Sequence, residues 1–397
     1  MFQIQKIRPM DRTELFAKTT SIKPADRQAV FKAKERQASL AKPPGSLGGL
    51  EHMSVRIAGM TGHVINRIGR GCVVVFCADN GVAREGVASA PQSVTRAQTV
   101  NFTRRLTGVG ALARSYDSEL LIVDMGVEDP IPEGLYTSEP LADTHKIVNR
   151  RLRAGGQTDN IAEGPAMTEE EALRAIETGM EMADAVCRKG FSIMGAGEMG
   201  IGNTTTSAAL LSAITGRPAE DTTGRGGGVN DAGFARKKEI INQVSAPFRE
   251  EGGILAGPEE LRAGRMLKAL ARMGGFDICA MTGAYLGAAL NRMPIVIDGY
   301  ISVVAALAAY VIAPAAADYM IASHKSFEKG YSLAIETLGL KPFLSLDMRL
   351  GEGSGCPIAF SIIRGACDVM ADMATFEEAK INDDYLEEIR SEEKYQR

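Results

Sequence analysis

Glu198 lies inside the run GAGEMGIGNTTT (residues 195–206), one carboxylate among four glycines, followed at once by Asn203 and three threonines that begin with Thr204. Glycine has no Cβ, so its backbone N–H groups can come within hydrogen-bonding distance of an anion. A phosphate or carboxylate ligand is the chemistry this composition suits, with Gly200, Asn203 and Thr204 as candidate contacts. A second loop, GRGGGVND (residues 224–231), brings Gly226 and Gly227 and runs into the helical pattern DAGFARKKEIINQ with Lys237 and Lys238. Two such loops point to a large phosphorylated ligand. A third, LGEGSGCP (residues 350–357), holds Glu352 between Gly351 and Gly353. Apolar walls such as Leu350 and Ile358 would raise the pKa of that carboxyl toward neutrality, the range of a general base. The plainer alternatives are a solvated turn residue for Glu352 and a solvated helix face for the two lysines.

These loops need elements to hold them. Apolar runs at residues 71–78, 120–124, 191–194 and 294–298 predict strands, and alanine-rich stretches between them predict helices. The alternation implies an α/β fold, a Rossmann-like, mostly parallel sheet with helices on both faces. Three of the runs end in or just before Asp79, Asp124 and Asp298, and ligands gather at the carboxyl ends of parallel strands. Each aspartate could equally cap the turn that follows. The segment FLSLDMRL reads as strand-like, residues 128–164 as a lid or irregular connection, and residues 252–258 as a surface excursion. The chain ends are charged and helical in pattern. They divide the protein into a small helical domain, 1–70 with 369–397, and a large α/β domain, 71–368.

Composition removes several classes. The 397 residues are 45% hydrophobic, ample for a packed core, and a net charge of −4 with no tryptophan leaves no basic or stacking surface for nucleic acid. Six cysteines without a C-x-x-C pair, and an N-terminus without a secretory apolar stretch, predict a reduced, cytoplasmic protein. The four histidines lack metal-ligand spacing, so no metal and no cofactor are expected. The apolar run 301–317 is broken by Pro314 and reads as a buried helix, which leaves no membrane association.

Several motifs together resemble the nicotinate-nucleotide:dimethylbenzimidazole phosphoribosyltransferases of cobalamin nucleotide-loop assembly. They are KPPGSLGGLE (42–51), ADNGVAREGVASAPQSVT (78–95), GEMGIGNTT (197–205), GRGGGVNDAGFARKKE (224–239), DGY (298–300), SHKS (323–326) and LGEGSG (350–355), in that order over most of the chain. The resemblance implies a pentosyltransferase that moves the 5-phosphoribosyl group of nicotinate mononucleotide onto a benzimidazole-type base. It implies Glu352 as general base and Glu198 as a second catalytic acidic residue near the nucleotide. Lys237, Gly226, Gly227 and Ser326 would surround the 5′-phosphate, and Gln92 would line the base pocket. The family is homodimeric, the small domain of one subunit closing the site of the other. Asn80 stands where many relatives have histidine, and Arg84 occupies a usually small position facing the acceptor. The acceptor is therefore left open among dimethylbenzimidazole, other benzimidazoles, adenine and phenols.

Two rival readings stand beside this one. Gly195, Gly197 and Gly200 satisfy G-x-G-x-x-G with Glu220 and Asp221 about twenty residues on, the pattern of an NAD-binding oxidoreductase. Glu198 inside that loop, against an anionic pyrophosphate, argues against it. The other is a non-catalytic subunit of a heteromeric phosphoribosyltransferase, which the presence of Glu352 and Glu198 disfavours.

Overall fold

Strand β1 (Gly71–Ala78) is a run of small and branched apolar residues, every one buried, and it forms the middle of a sheet that only a two-sided cover could hide. The protein is described here by a computed structural model over residues 10–386. Among the described residues, three helices precede β1. These are α1 (Arg12–Thr20), begun by a capping box between Asp11 and Glu14, α2 (Arg27–Ser39), capped by Asp26, and α3 (Gly49–Thr61). Leu15, Ile57 and Met60 from α1 and α3 belong to the same buried cluster as the sheet. Ala33, Ala58 and Met370 form a small satellite core between α2, α3 and the C-terminal part of the chain.

After β1 come α4 (Ser93–Thr103), α5 (Gly108–Ser115) and β2 (Ser118–Gly126). The polar segment 128–164 contains two short strands, β3 (Tyr136–Thr137) and β4 (Ile147–Asn149), too brief to carry a period that the sequence could display. Helix α6 (Glu169–Arg188), opened by a Thr168–Glu171 capping box, leads to β5 (Ile193–Met199). Five helices follow: α7 (Asn203–Thr215), α8 (Ala219–Thr222), α9 (Asp231–Arg249), α10 (Glu259–Met273) and α11 (Phe276–Leu290). Then come β6 (Ile295–Ile297), α12 (Tyr300–Ile312), β7 (Met320–Ala322), α13 (Tyr331–Thr337), α14 (Gly355–Asp372) and α15 (Phe376–Ala379).

The strands lie in the order β3-β4-β2-β1-β5-β6-β7, and every pairing is parallel. Helix α14 packs on one face against β1, β5 and β6, while α11 and α12 cover the other. Helices α6 and α11 approach closely enough that a Cβ on Gly179 would overlap the carbonyl oxygen of Ala280, and one on Gly283 that of Ile176. The expected α/β architecture is present.

Four local expectations change. The strand expected at 191–194 continues through Gly195, Ala196 and Gly197 to Met199, so Glu198 sits on a strand end and not within a loop. A Cβ on Gly195 would lie 2.5 Å from the Cys356 sulfur, so glycine serves helix–sheet contact here. FLSLDMRL forms no strand; Leu344 bridges His324, and Met348 accepts the Phe327 N–H at 3.1 Å. In the excursion 252–258, Ile254 is fully buried and its N–H donates to the Ala213 carbonyl. The C-terminal helix expected over 369–397 is, within the described residues, the end of α14 followed by the short α15, and residues 387–397 lie outside them. Within the 301–317 run, the residues through Ile312 form the buried helix expected and Pro314 opens a short 3₁₀ turn, and among the described residues no helix is long and apolar enough to cross a membrane.

Candidate active site

The end of β5 delivers Glu198, 7% exposed, to the carboxyl edge of the sheet. Gly202, at φ 98°, then turns the chain into α7, whose first residue is Asn203. The Asn203 side-chain amide donates to the Glu198 carboxyl and, at 3.1 Å, to Asp277 on α11. Next along α7, Thr204 Oγ1 accepts a hydrogen bond from Lys237 Nζ at 2.7 Å. Lys237 comes from α9 and is 1% exposed. Burial pulls its pKa down to about 8 against the partly restoring charge of Glu328.

The edge is completed from β6 and the loop before α14. Asp298 accepts from the N–H of Gly353 (3.1 Å) and of Gly355 (2.7 Å), which ties the LGEGSG loop to the end of β6. Burial pushes Asp298 up to about 7, and those amide donors pull the other way. His324 Nδ1 stands 3.9 Å from Asp298 Oδ1 and 3.0 Å from Ser323 Oγ. Desolvation holds His324 down to about 4, so it is neutral near pH 7 and makes no ion pair with Asp298.

Glu352 adopts φ 64° between Gly351 (84°) and Gly353 (80°), three successive left-handed residues. Its carboxylate is 4% exposed and accepts the Val109 N–H at 2.9 Å, in the first turn of α5. The helix N-terminus favours the anion while burial disfavours it, and burial is the larger effect, so the pKa is raised. A carboxyl so raised has the character of a general base.

Of the residues singled out from sequence, Glu198, Gly200, Asn203, Thr204, Gly226, Gly227 and Ser326 line one cleft of about 200 Å³. Lys237 stands behind its wall and reaches it through Thr204, while Glu352 follows the lining residue Gly351 and turns its carboxylate to α5. Two others lie elsewhere. Gln92 Nε2 donates to Gln157, Gln157 to Glu128, and Arg84 pairs with Glu128 at 3.1 Å. Arg84, Glu128 and Gln157 line a separate groove of about 720 Å³. The Arg84 side chain is 63% exposed and meets solvent and the Glu128 carboxylate. Glu220 and Asp221 are exposed on α8 and do not line the cleft, which removes the ribose contact of the dinucleotide reading.

Of the three strand-end aspartates, Asp298 borders the cleft, whereas Asp124 is spent on the N–H groups of Gly126 and Val127 and on the Tyr136 hydroxyl. Arg349 and Tyr300 also line the cleft, and Asp277 supports it from below. Asp277 had one visible signal, being the only charged residue in the otherwise apolar α11. Among the described residues, no group of three or more His, Cys, Asp or Glu side chains could hold a metal ion.

Comparison with known proteins gives this geometry a lineage. A family model described as "Phosphoribosyltransferase" matches residues 22–381. The nicotinate-nucleotide–dimethylbenzimidazole phosphoribosyltransferase of Clostridium perfringens (strain ATCC 13124) is 47% identical over 371 residues, 93% of this chain and 96% of that one. Its counterpart in Chloroflexus aggregans is 43% identical over 362 residues, 91% and 96% of the two chains. The crystal structure of CobT from Thermus thermophilus superposes with a TM-score of 0.80 at 37% identity, covering 90% of this chain and 99% of that one. With its parallel sheet, its three glycine loops at one edge and relatives matched over nearly their whole length, the chain belongs to the nicotinate-nucleotide–dimethylbenzimidazole phosphoribosyltransferase family.

Proposed function

We propose that the protein transfers the 5-phosphoribosyl group of nicotinate mononucleotide to dimethylbenzimidazole or a related lower-ligand base, giving α-ribazole 5′-phosphate and nicotinate for cobalamin assembly. The observation that carries this reading is the arrangement around one cleft. The first two glycine loops line it with Glu198, Lys237 lies buried behind it, and Glu352 is held at its side by the third loop. In the nucleotide the leaving group is a pyridinium, already cationic, so it departs without protonation. The incoming base attacks C1′ from the opposite face through one ring nitrogen and loses the proton on the other to Glu352, a step worth roughly 10²- to 10⁴-fold. Inversion sets the α-configuration. Holding the two reactants in line supplies much of the remaining acceleration, with glycine-loop N–H groups and Lys237 gripping the phosphate.

The same reading assigns Gly226, Gly227 and Ser326 to the phosphate and Gly200, Asn203 and Thr204 to the nucleotide. Gln92 goes to the acceptor side, with Arg84 at its outer rim. It extends to a cytoplasmic homodimer and to a division between a helical body from the two chain ends (1–70 with 369–397) and the catalytic body (71–368). In support of that division, the two ends meet where Ala41 N–H donates to Ala374 at 2.9 Å and Leu40 bridges Thr375.

The test is incubation of the purified protein, with EDTA present, with nicotinate mononucleotide and dimethylbenzimidazole, benzimidazole, adenine or phenol, following nicotinate release and ribotide formation by chromatography. Release with at least one acceptor is expected. None with any of them would move the assignment to a partner-dependent or non-catalytic subunit.

A second expectation concerns Lys237. Lys237→Ala weakens nicotinate mononucleotide by roughly tenfold or more, the loss of one charge-assisted hydrogen bond, and leaves free nicotinate unaffected. Burial lowers the folded-state pKa of this lysine to about 8, so its charge is present below that pH and lost above it. Affinity for the nucleotide therefore falls as pH rises through about 8, while affinity for free nicotinate does not follow. Calorimetric titration of both ligands reads this, and equal loss for the two would remove the phosphate role.

A further inference from the structure

Glu198 shares its side-chain donor, Asn203, with a second carboxyl group. The one nitrogen of the Asn203 amide carries two protons, and one goes to Glu198 Oε2, the other to Asp277 Oδ2 at 3.1 Å. Asp277 is fully buried, and its other oxygen accepts the Ile278 N–H at 3.0 Å. The space around it is made by glycines. A Cβ on Gly275 would overlap Asp277 Oδ1 and the Asn80 side-chain oxygen, and one on Gly200 would stand 2.9 Å from Asp277 Oδ2. The fold thus reserves room for a carboxyl group beneath the cleft, joined to the cleft by one amide.

The groups around the pair are acidic or neutral. Asp298 faces Glu198 from the end of β6, Cys77 from β1, and the Glu352 backbone N–H donates to it. Asp79, at the end of β1, faces Asp277. Across the cleft stand His324, Glu328 and Arg349, and Lys237 is turned to Thr204. Among the described residues no lysine, arginine or histidine forms an ion pair with Glu198 or Asp277. Two buried carboxyl groups that accept from one amide and have no paired cation disfavour double ionisation.

We propose that Asp277 is a positioning residue for the transfer: acting through the Asn203 amide, it orients the Glu198 carboxyl group toward the cleft, and its charge keeps the proton on Glu198. The proposal rests on the reading of Glu198 as a substrate-facing residue. A Glu198 that keeps its proton donates a hydrogen bond to an oxygen of the bound nucleotide and does not repel its phosphate. Burial pushes Glu198 up to about 8 and Asp277 up to about 6, and the charge of Asp277 adds to the rise at Glu198.

The test is the pH dependence of kcat at saturating nicotinate mononucleotide and dimethylbenzimidazole, where bound phosphate keeps Lys237 charged. Wild type is expected to lose kcat as Glu198 ionises at high pH, and Glu198→Gln to lack that limb. Asp277→Asn keeps an oxygen for the Asn203 N–H but carries no charge, so the limb moves down by about one pH unit. A limb absent from wild type, or one removed by Glu198→Gln and unmoved by Asp277→Asn, overturns the proposal while leaving the transferase reading intact. A Glu198→Gln enzyme with wild-type kcat and limb overturns the reading of Glu198 itself. Should Asp277→Asn not fold, Asn203→Ala decides. It removes the donor that favours ionised Glu198, so the limb moves up, and an unmoved limb overturns the proposal.

Discussion

Glu352→Gln is expected to fold as the parent does, bind nicotinate mononucleotide with unchanged affinity and lose roughly a hundredfold or more in kcat. Glutamine has the same volume, and its amide oxygen still accepts the Val109 N–H that now meets the carboxylate at 2.9 Å. What it cannot do is accept the proton that the incoming benzimidazole must shed. The loss belongs to the acceptor step, so single-turnover release of nicotinate slows in parallel with steady-state turnover while the nucleotide dissociation constant stays put. Turnover at the parent rate would remove Glu352 from the mechanism.

Gly197→Ala is expected to be nearly as damaging from a position that touches no substrate. Its new Cβ would overlap the carbonyl of Glu352, with the Gly353 nitrogen 2.6 Å away. Both are backbone atoms of a loop already tied at Gly353 and Gly355 to Asp298, so the loop cannot slide aside without loosening those bonds. The overpacking costs about 1–3 kcal/mol of stability, and displacing the base by about an ångström costs on the order of 10²-fold in kcat. Because the damage passes through Glu352, the double variant Gly197→Ala, Glu352→Gln should be scarcely slower than Glu352→Gln alone. Losses that multiply in full would place the effect of Gly197 elsewhere.

That glycine also marks where the sequence was hard to read. The long apolar runs of β1 and β2, and the end of β6 at Asp298, were legible because strands buried on both faces leave an uninterrupted hydrophobic record. Gly195 and Gly197 broke that record, and read alone they resembled a phosphate loop. They lie inside β5, where the need is for backbone to approach α14 and the Glu352 loop. The short β3, β4 and β7 left no periodic trace. FLSLDMRL left one that the fold does not use as a strand, since its backbone bonds at Phe343, Leu344 and Met348 reach only the loop after β7.

Within the site, the residues lining the cleft came from composition and resemblance together. Sequence spacing says nothing about which way a long exposed side chain such as Arg84 turns, and Glu128, forty-four residues away, supplies its partner. Asp277 was missed from the sequence. A lone acidic residue at the start of a hydrophobic helix looks like a helix-end charge, and only its meeting with Asn203 gives it a purpose.

The hydrogen bond from Val109 to Glu352 closes a separation of 243 residues, and the one from Gly353 to Asp298 a separation of 55. No early fragment of the chain contains the cleft with its base in place. Contacts of such sequence separation form late, after the entropy of closing the intervening chain has been met. On the proposed function, a cleft that is complete only in the finished fold is one that bound nucleotide stabilises against unfolding.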